Sequence, residues 1–270
     1  MSADSRGTRL GILLWGQATD WTAFEAAARR VDDLGYDHLW SWDHLYAIFG
    51  DPYQPIWEGH TTLAAWAMVT RNVRLGLMVG ANTFRNPGLV AKMATNLDQM
   101  SGGRAILGLG GAWFELEHQA YGIEFGHSAG ERKTLRTVAK YADMWNAMGS
   151  VELLQHKDEV LRAHCESVGR DSAEIERTTS CKPVIRSTEA EARRVWEAQM
   201  AHNRTPMSEV EDDETFWAGT PEQIAELMIA RRQIGFHTFI AEMAAPFDEE
   251  TLERWIGEVK PMVDAVFPSL

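Results

Sequence analysis

The sequence predicts an α/β fold, specifically a TIM-type (β/α) barrel, and three observations carry that expectation. Short apolar runs alternate with amphipathic segments from one end of the chain to the other, the pattern of βα units on a parallel sheet. The amphipathic segments are bounded by helix caps and terminating glycines. The length, 270 residues, fits one large α/β barrel or two small domains. With no repeat, low-complexity tract or linker, residues 1–270 read as one domain.

The elements follow in order. Residues 9–15 are the first strand. A helix carrying Trp21, Phe24, Ala28, Val31 and Leu34 follows and stops at Gly35. Residues 37–42 are the second strand, and Thr61 or Thr62 caps a helix bearing Leu63, Trp66, Ala67 and Val69. Residues 73–80 form the third strand. Asn86-Pro87 is an N-cap followed by a first-turn proline, and the helix behind it ends at Gly102-Gly103. Residues 104–109 are the fourth strand. Leu135, Val138 and Ala142 mark a helix leading into a strand at 144–148. Ser150 caps a helix ended by Gly169, and a strand covers 175–185. After a helix at 189–200, the polar, acidic stretch 202–214 is a candidate lid. Thr220-Pro221-Glu222-Gln223 reads as a capping box. Residues 237–243 are the last strand, and a final helix runs from Asp248 through Val266 with a bend at Pro261. These are seven strand candidates, where a closed barrel has eight.

Composition excludes several classes. A net charge of −13 without a basic block argues against nucleic acid. No apolar run reaches the roughly 20 residues of a membrane span. Two cysteines are too few for a disulfide framework, and a polar start without a signal-like run points to the cytoplasm. The nine histidines show no metal-ligand spacing, so no metal site is expected. There is no nucleophile elbow and no phosphate-binding Walker loop.

Four segments carry a resemblance: Leu39-Trp40-Ser41-Trp42-Asp43-His44-Leu45; residues 74–87, ending Thr83-Phe84-Arg85-Asn86-Pro87; residues 97–113, containing Gly108-Leu109-Gly110-Gly111-Ala112-Trp113; and Gly130-Glu131-Arg132-Lys133-Thr134-Leu135 leading to Tyr141-Ala142-Asp143-Met144-Trp145-Asn146. Together they resemble the luciferase-like monooxygenase family, in particular its coenzyme F420-dependent oxidoreductase branch. The resemblance implies a (β/α) barrel with a deazaflavin or flavin at the C-terminal ends of the strands. It implies that Asp43 lies near the cofactor and that His44 faces the substrate, both as catalytic residues that assist proton movement as hydride moves. It implies cofactor contacts from Met78, Val79 and Gly80, the place of a non-proline cis peptide in family members, from Gly110, Gly111 and Ala112, and from Asn146. Gly130 and Glu131, at a helix start, fall where the family receives the cofactor phosphate. From the residues alone, Asp43 could equally cap a turn, and Glu115 and Glu117 could be ordinary first-turn carboxylates.

One departure stands out. Family members carry several dozen more residues between the fourth strand and the Glu131-Arg132-Lys133 helix, including the fifth strand. The expected barrel therefore lacks that strand. Its gap could be closed by pairing the fourth strand with that at 144–148, by residues 122–126, or by a second copy in a homodimer. The function implied is hydride transfer between F420 and a small organic substrate, with a flavin or F420 reductase as redox source. The alternatives are an FMN-dependent monooxygenase and a non-catalytic flavin-binding barrel.

Overall fold

In the computed structural model, residues 7–125 and 130–267 are described, and the side chains of residues 130–132 lie outside the described set. The first half runs β1 (Arg9–Leu14), α1 (Trp21–Asp33), β2 (His38–Ser41), α2 (Gly59–Val69), β3 (Arg74–Leu77), β4 (Gly80–Ala81), α3 (Pro87–Ser101), β5 (Ala105–Ile106), β6 (Leu109–Gly110) and α4 (Glu115–Tyr121). The second half runs α5 (Gly130–Tyr141), β7 (Met144–Ala147), α6 (Val151–Val168), β8 (Glu176–Ile185), α7 (Glu189–His202), β9 (Phe216–Gly219), α8 (Pro221–Gln233), β10 (Thr238–Met243), α9 (Glu249–Arg254) and α10 (Lys260–Val266).

Seven strands hydrogen-bond in one parallel path, in the order β5-β3-β2-β1-β10-β8-β7. They are the seven strands that the sequence predicts. The path ends at β5 and β7, and among the described residues no pairing joins these two. The seam falls where the fifth barrel strand would stand. The fourth strand does not pair with that at 144–147, and residues 122–125 form no strand. Residue 126 lies outside the described residues.

Three short strands add to the expected set. The third and fourth predicted strands each break and resume, and the resumed pieces β4 and β6 pair with each other. β9 pairs with the second half of β8, from Lys182 to Ile185. Phe216–Gly219 is only four residues long and adjoins the acidic loop, so its apolar run is too short to read as a strand in sequence.

Side chains alternate between two cores. Leu10, Ile12, Leu14, Leu39, Leu75, Cys181, Phe239 and Ala241 face outward and pack under the helices. Leu13, Trp15, Trp40, Trp42, Val184 and Ile240 face into the barrel. Trp40 sets the spacing there. A Cβ on Gly76 would stand 2.6 Å from Trp40 Cζ3, and one on Gly11 would stand 3.1 Å from Trp40 Nε1. The indole occupies the volume that side chains of two neighbouring strands would otherwise fill.

Most helix ends obey the expected chemistry, but α2 starts earlier than expected and is capped by Glu58, with Thr61 and Thr62 inside its first turns. Asn86 accepts from Gly88 N at 2.9 Å, with Pro87 in the first turn. Thr220 and Gln223 cap each other reciprocally. The final helix is interrupted next to Pro261, which stands in the first turn of α10. The irregularity lies one turn earlier, in a π-turn over Trp255–Val259. Pro261 has no N–H to return to the preceding turn, so the carbonyls there must be satisfied differently. Among the described residues no helix is long and apolar enough to cross a membrane.

Two predictions test this core. Gly76→Ala should destabilise the chain by about 1–3 kcal/mol, because a methyl there cannot avoid Trp40 or the Ile106 carbonyl, and chemical denaturation reads the change. His38, buried beside Trp40, is pushed down to about 3 by burial and by Arg74 and Arg9. Its folded value lies below its unfolded one of 6.5, so the unfolded chain binds more protons between them. Stability should fall by on the order of 1 kcal/mol per pH unit below about 6.5. His38→Asn should flatten that acid limb in denaturation curves.

Candidate functional site

The loops that leave the C-terminal ends of the strands enclose an open cavity of about 1210 Å³. This is the barrel face at which catalytic residues collect. Trp42, Ile48, Phe49 and Phe84 give it apolar walls. Met78, Val79, Gly111, Ala112 and Trp113 give it exposed backbone and flat surface. Asp43, His44, Glu117, Lys182 and Glu242 are its ionisable groups among the described residues.

The Met78–Val79 peptide is cis, at the position where the family resemblance expects such a bond. The Val79 side chain stands 44% exposed at the cavity wall. Gly110 lies behind it, and a Cβ there would come within 2.2 Å of Val79 Cγ2. Glycine is therefore required at 110 for β6 to approach this segment. At Gly111 a Cβ would meet nothing within 4 Å, so that backbone faces open space.

Asp43 is buried and fully engaged. Its Oδ2 accepts from Ala81 N at 2.9 Å and from Arg85 Nη1 at 2.7 Å, while Oδ1 accepts from Arg85 Nη2 at 2.9 Å. Arg85 also donates to Glu58 Oε1 at 2.7 Å. Burial acts against the Arg85 charge, but the Asp43 and Glu58 carboxylates outweigh it and raise the guanidinium above its ordinary value. Burial and Arg85 together push the neighbouring His60 imidazole down, against the pull of Asp43 and Glu58. This bidentate pair fixes the loop after β2 to β4, because one carboxylate holds both a backbone amide and the arginine.

His44 is held from the other side. Its Nδ1 lies 2.9 Å from Glu117 Oε1, and Glu117 Oε2 accepts from the backbone N–H of Leu45 and of Tyr46. The Glu117 side chain is 1% exposed. A carboxylate bound to backbone amides accepts from the ring as well, so Nδ1 carries the hydrogen and Nε2 is the ring nitrogen left for another partner. The ring packs edge-on against Trp42 and Trp113, with centroids 6.0 and 5.6 Å away. His118, one residue on in α4, is buried and bridges Thr83 Oγ1 and the Phe114 carbonyl. α4 thus ties together the loops after β2 and β4.

Of the residues singled out in the sequence, Asp43, His44, Met78, Val79, Gly111 and Ala112 line this cavity. Gly80 and Gly110 stand behind the wall, Gly80 on a smaller cavity that Asp43 and Arg85 also line. Asn146 is inside the barrel, donating to Ser180 Oγ at 3.2 Å and accepting from Thr178 Oγ1 at 2.9 Å. Gly130 and Glu131 open α5, and their side chains lie outside the described residues. Thr134 of that helix reaches the cavity. The stretch 202–214 is pinned. Buried Asn203 bonds to Gln17 and to the Ala245 carbonyl, and Asp213 bonds to Lys182.

Sequence reasoning missed Glu117, Lys182 and Glu242. A first-turn glutamate has an ordinary explanation, so Glu117 carried no signal without its partner 73 residues away. Glu242 did carry one, as a lone carboxylate inside the apolar run of β10, whereas Lys182 sits in a strand that already holds Glu176 and Arg177.

Comparison with known proteins places these features in context. Residues 8–131 match the luciferase-like monooxygenase family. A 4-hydroxyprotoasukamycin monooxygenase of Streptomyces nodosus subsp. asukaensis is 33% identical over 104 residues, 38% of this chain and 27% of that protein. A putative coenzyme F420-dependent oxidoreductase of Mycobacterium tuberculosis is 35% identical over 121 residues, 44% of this chain and 32% of that protein. The matched segments thus span about a third or less of these relatives. Across the fold, the coenzyme F420-dependent tetrahydromethanopterin reductase of Methanopyrus kandleri superposes with a TM-score of 0.75 at 15% identity, covering 95% of this chain and 99% of that one. Residues 8–131 are thus similar in sequence to the luciferase-like monooxygenases, and over nearly its whole length the chain shares the fold of that reductase.

Proposed function

We propose that the chain is an F420-dependent oxidoreductase that moves a hydride between the deazaflavin and a small organic substrate. The observation that carries this reading is the pairing, in one cavity, of a flat wall with a histidine oriented by a buried carboxylate. Met78, Val79, Gly111 and Ala112 offer the wall; His44 and Glu117 offer the oriented base. A planar ring fits where Gly111 leaves its backbone uncovered. When bound, the deazaflavin supplies the hydride chemistry.

The chain's own residues do the rest. His44 Nε2 gives or takes the proton that must accompany hydride at a carbonyl or hydroxyl. Glu117 positions His44 by holding Nδ1. Asp43 positions rather than transfers, because Arg85 and Ala81 N occupy its oxygens, and it keeps the wall in register with His44. Gly80 and Gly110 support that wall from behind, and Asn146 supports it through the barrel interior. Gly130 and Glu131, at the start of α5, would receive the cofactor's phosphate, a reading supported by Thr134 reaching the same cavity. A separate F420 reductase would return the cofactor to its reduced form.

A second reading, an FMN-dependent monooxygenase served by a flavin reductase, is favoured by the 33% identity to a monooxygenase. One titration separates the two. F420 fluorescence should respond to the protein at roughly tens of micromolar or tighter, and reduced FMN should not compete. Absence of an F420 response with retention of FMN would reverse the assignment. Once turnover is established, His44→Asn should lower kcat by about 10²–10⁴-fold with cofactor affinity unchanged. Glu117→Gln should cost roughly 10–100-fold, by analogy with the groups that orient metal-bound histidines, and should shift the pH profile. Unchanged rates in both variants would remove the proposed proton path.

A further inference from the structure

A second polar cluster lines the same cavity, on strands that the proton path does not use. Lys182 of β8 and Glu242 of β10 both project inward. The Lys182 side chain is 6% exposed and its ammonium is already satisfied. It donates to Thr215 Oγ1 at 2.6 Å and to Asp213 Oδ2 at 3.2 Å, and lies 4.9 Å from the centre of the Phe216 ring. Glu242 Oε2 is 4.0 Å away, with 9% of its side chain exposed. Burial pushes the Glu242 carboxyl up, more than Lys182, a hydrogen bond with Ser180 and the nearby His44 bring it down; Asp213 adds to the rise. At Asp213 the balance is reversed. Burial there is outweighed by Thr215 and Lys182, and the carboxyl is held below its usual range.

The charge count decides what such a cluster can hold. Lys182 is matched by Asp213, so the described residues lining the cavity leave no free cation for an anionic substrate. The ammonium beside Glu242 also disfavours a second cation. What remains is the Glu242 carboxyl, whose burial favours its hydrogen-donating form, at the edge of walls made by Trp42, Ile48, Phe49 and Trp113. We propose that Lys182 and Glu242 form the substrate-recognition subsite of this cavity, in which the Glu242 carboxyl hydrogen-bonds the carbonyl or hydroxyl group of an uncharged, otherwise apolar molecule. The proposal rests on reading the cavity as a substrate site and names the substrate class it accepts.

The groups that face Glu242 are Lys182 and Ser180 on β8, Asp213 before β9, and His44 after β2. Binding by the intact chain, without any cofactor, can be measured by calorimetry for three probes of similar size: acetophenone, benzoate and ethylbenzene. Acetophenone should bind about tenfold more tightly than either of the others, the value of one buried hydrogen bond. Its affinity should fall with rising pH as Glu242 ionises. Glu242→Gln keeps a donor and should abolish that pH dependence. Glu242→Ala should bring acetophenone down to the level of ethylbenzene, with ethylbenzene itself unmoved. Benzoate binding as tightly as acetophenone, or acetophenone binding that ignores both variants, would overturn the subsite. Because no cofactor is present, either result is independent of the F420 titration.

Discussion

The indole of Trp40 is the constraint around which this barrel is arranged. It lies in the interior where an open seven-strand sheet must still bury its inner faces, and it excludes a side chain at both Gly11 and Gly76. Interiors are packed close to crystal density, so one large ring fixes what its neighbours can be. Above it, Leu13, Trp15, Trp42 and Ile240 complete a floor. The cavity rests on that floor, at the strand ends, and inherits its shape from it.

Two buried carboxylates then turn strand ends into a site. Asp43 binds Arg85 and the Ala81 amide, and so locks the loop after β2 to the cis segment. Glu117 comes from α4 and binds His44 together with the two amides that follow it. Both carboxylates are buried and both have partners, the condition under which buried charge is tolerated. The division of labour follows from the bonding. The carboxylate saturated by arginine holds the frame, and the one that holds an imidazole sets which ring nitrogen faces the cavity.

The seven-strand path was legible because several strands are buried on both faces and read as apolar runs, such as residues 9–15, while helix caps and glycines bound the rest. The seam was legible as a shortage of chain between Gly110 and Gly130. The breaks at Leu77–Gly80 and Ile106–Leu109 were not, because a cis peptide and close glycine contacts leave no periodicity to read. The wall and His44 were found through motifs local in sequence. Glu117 was not, since its meaning arises only when α4 folds back over the loop after β2. Glu242 was visible as a charge inside the apolar run of β10, but only the barrel's inward alternation shows that it meets Lys182.

The central claim is that the Met78–Val79 and Gly111–Ala112 surface receives a deazaflavin with His44 facing its substrate side. A crystal structure of the chain grown with oxidised F420 tests this most directly. The account predicts the tricyclic ring against that surface, with its phosphate-bearing chain running toward the start of α5. A ring bound anywhere else, or a cavity left empty at saturating F420, would contradict it.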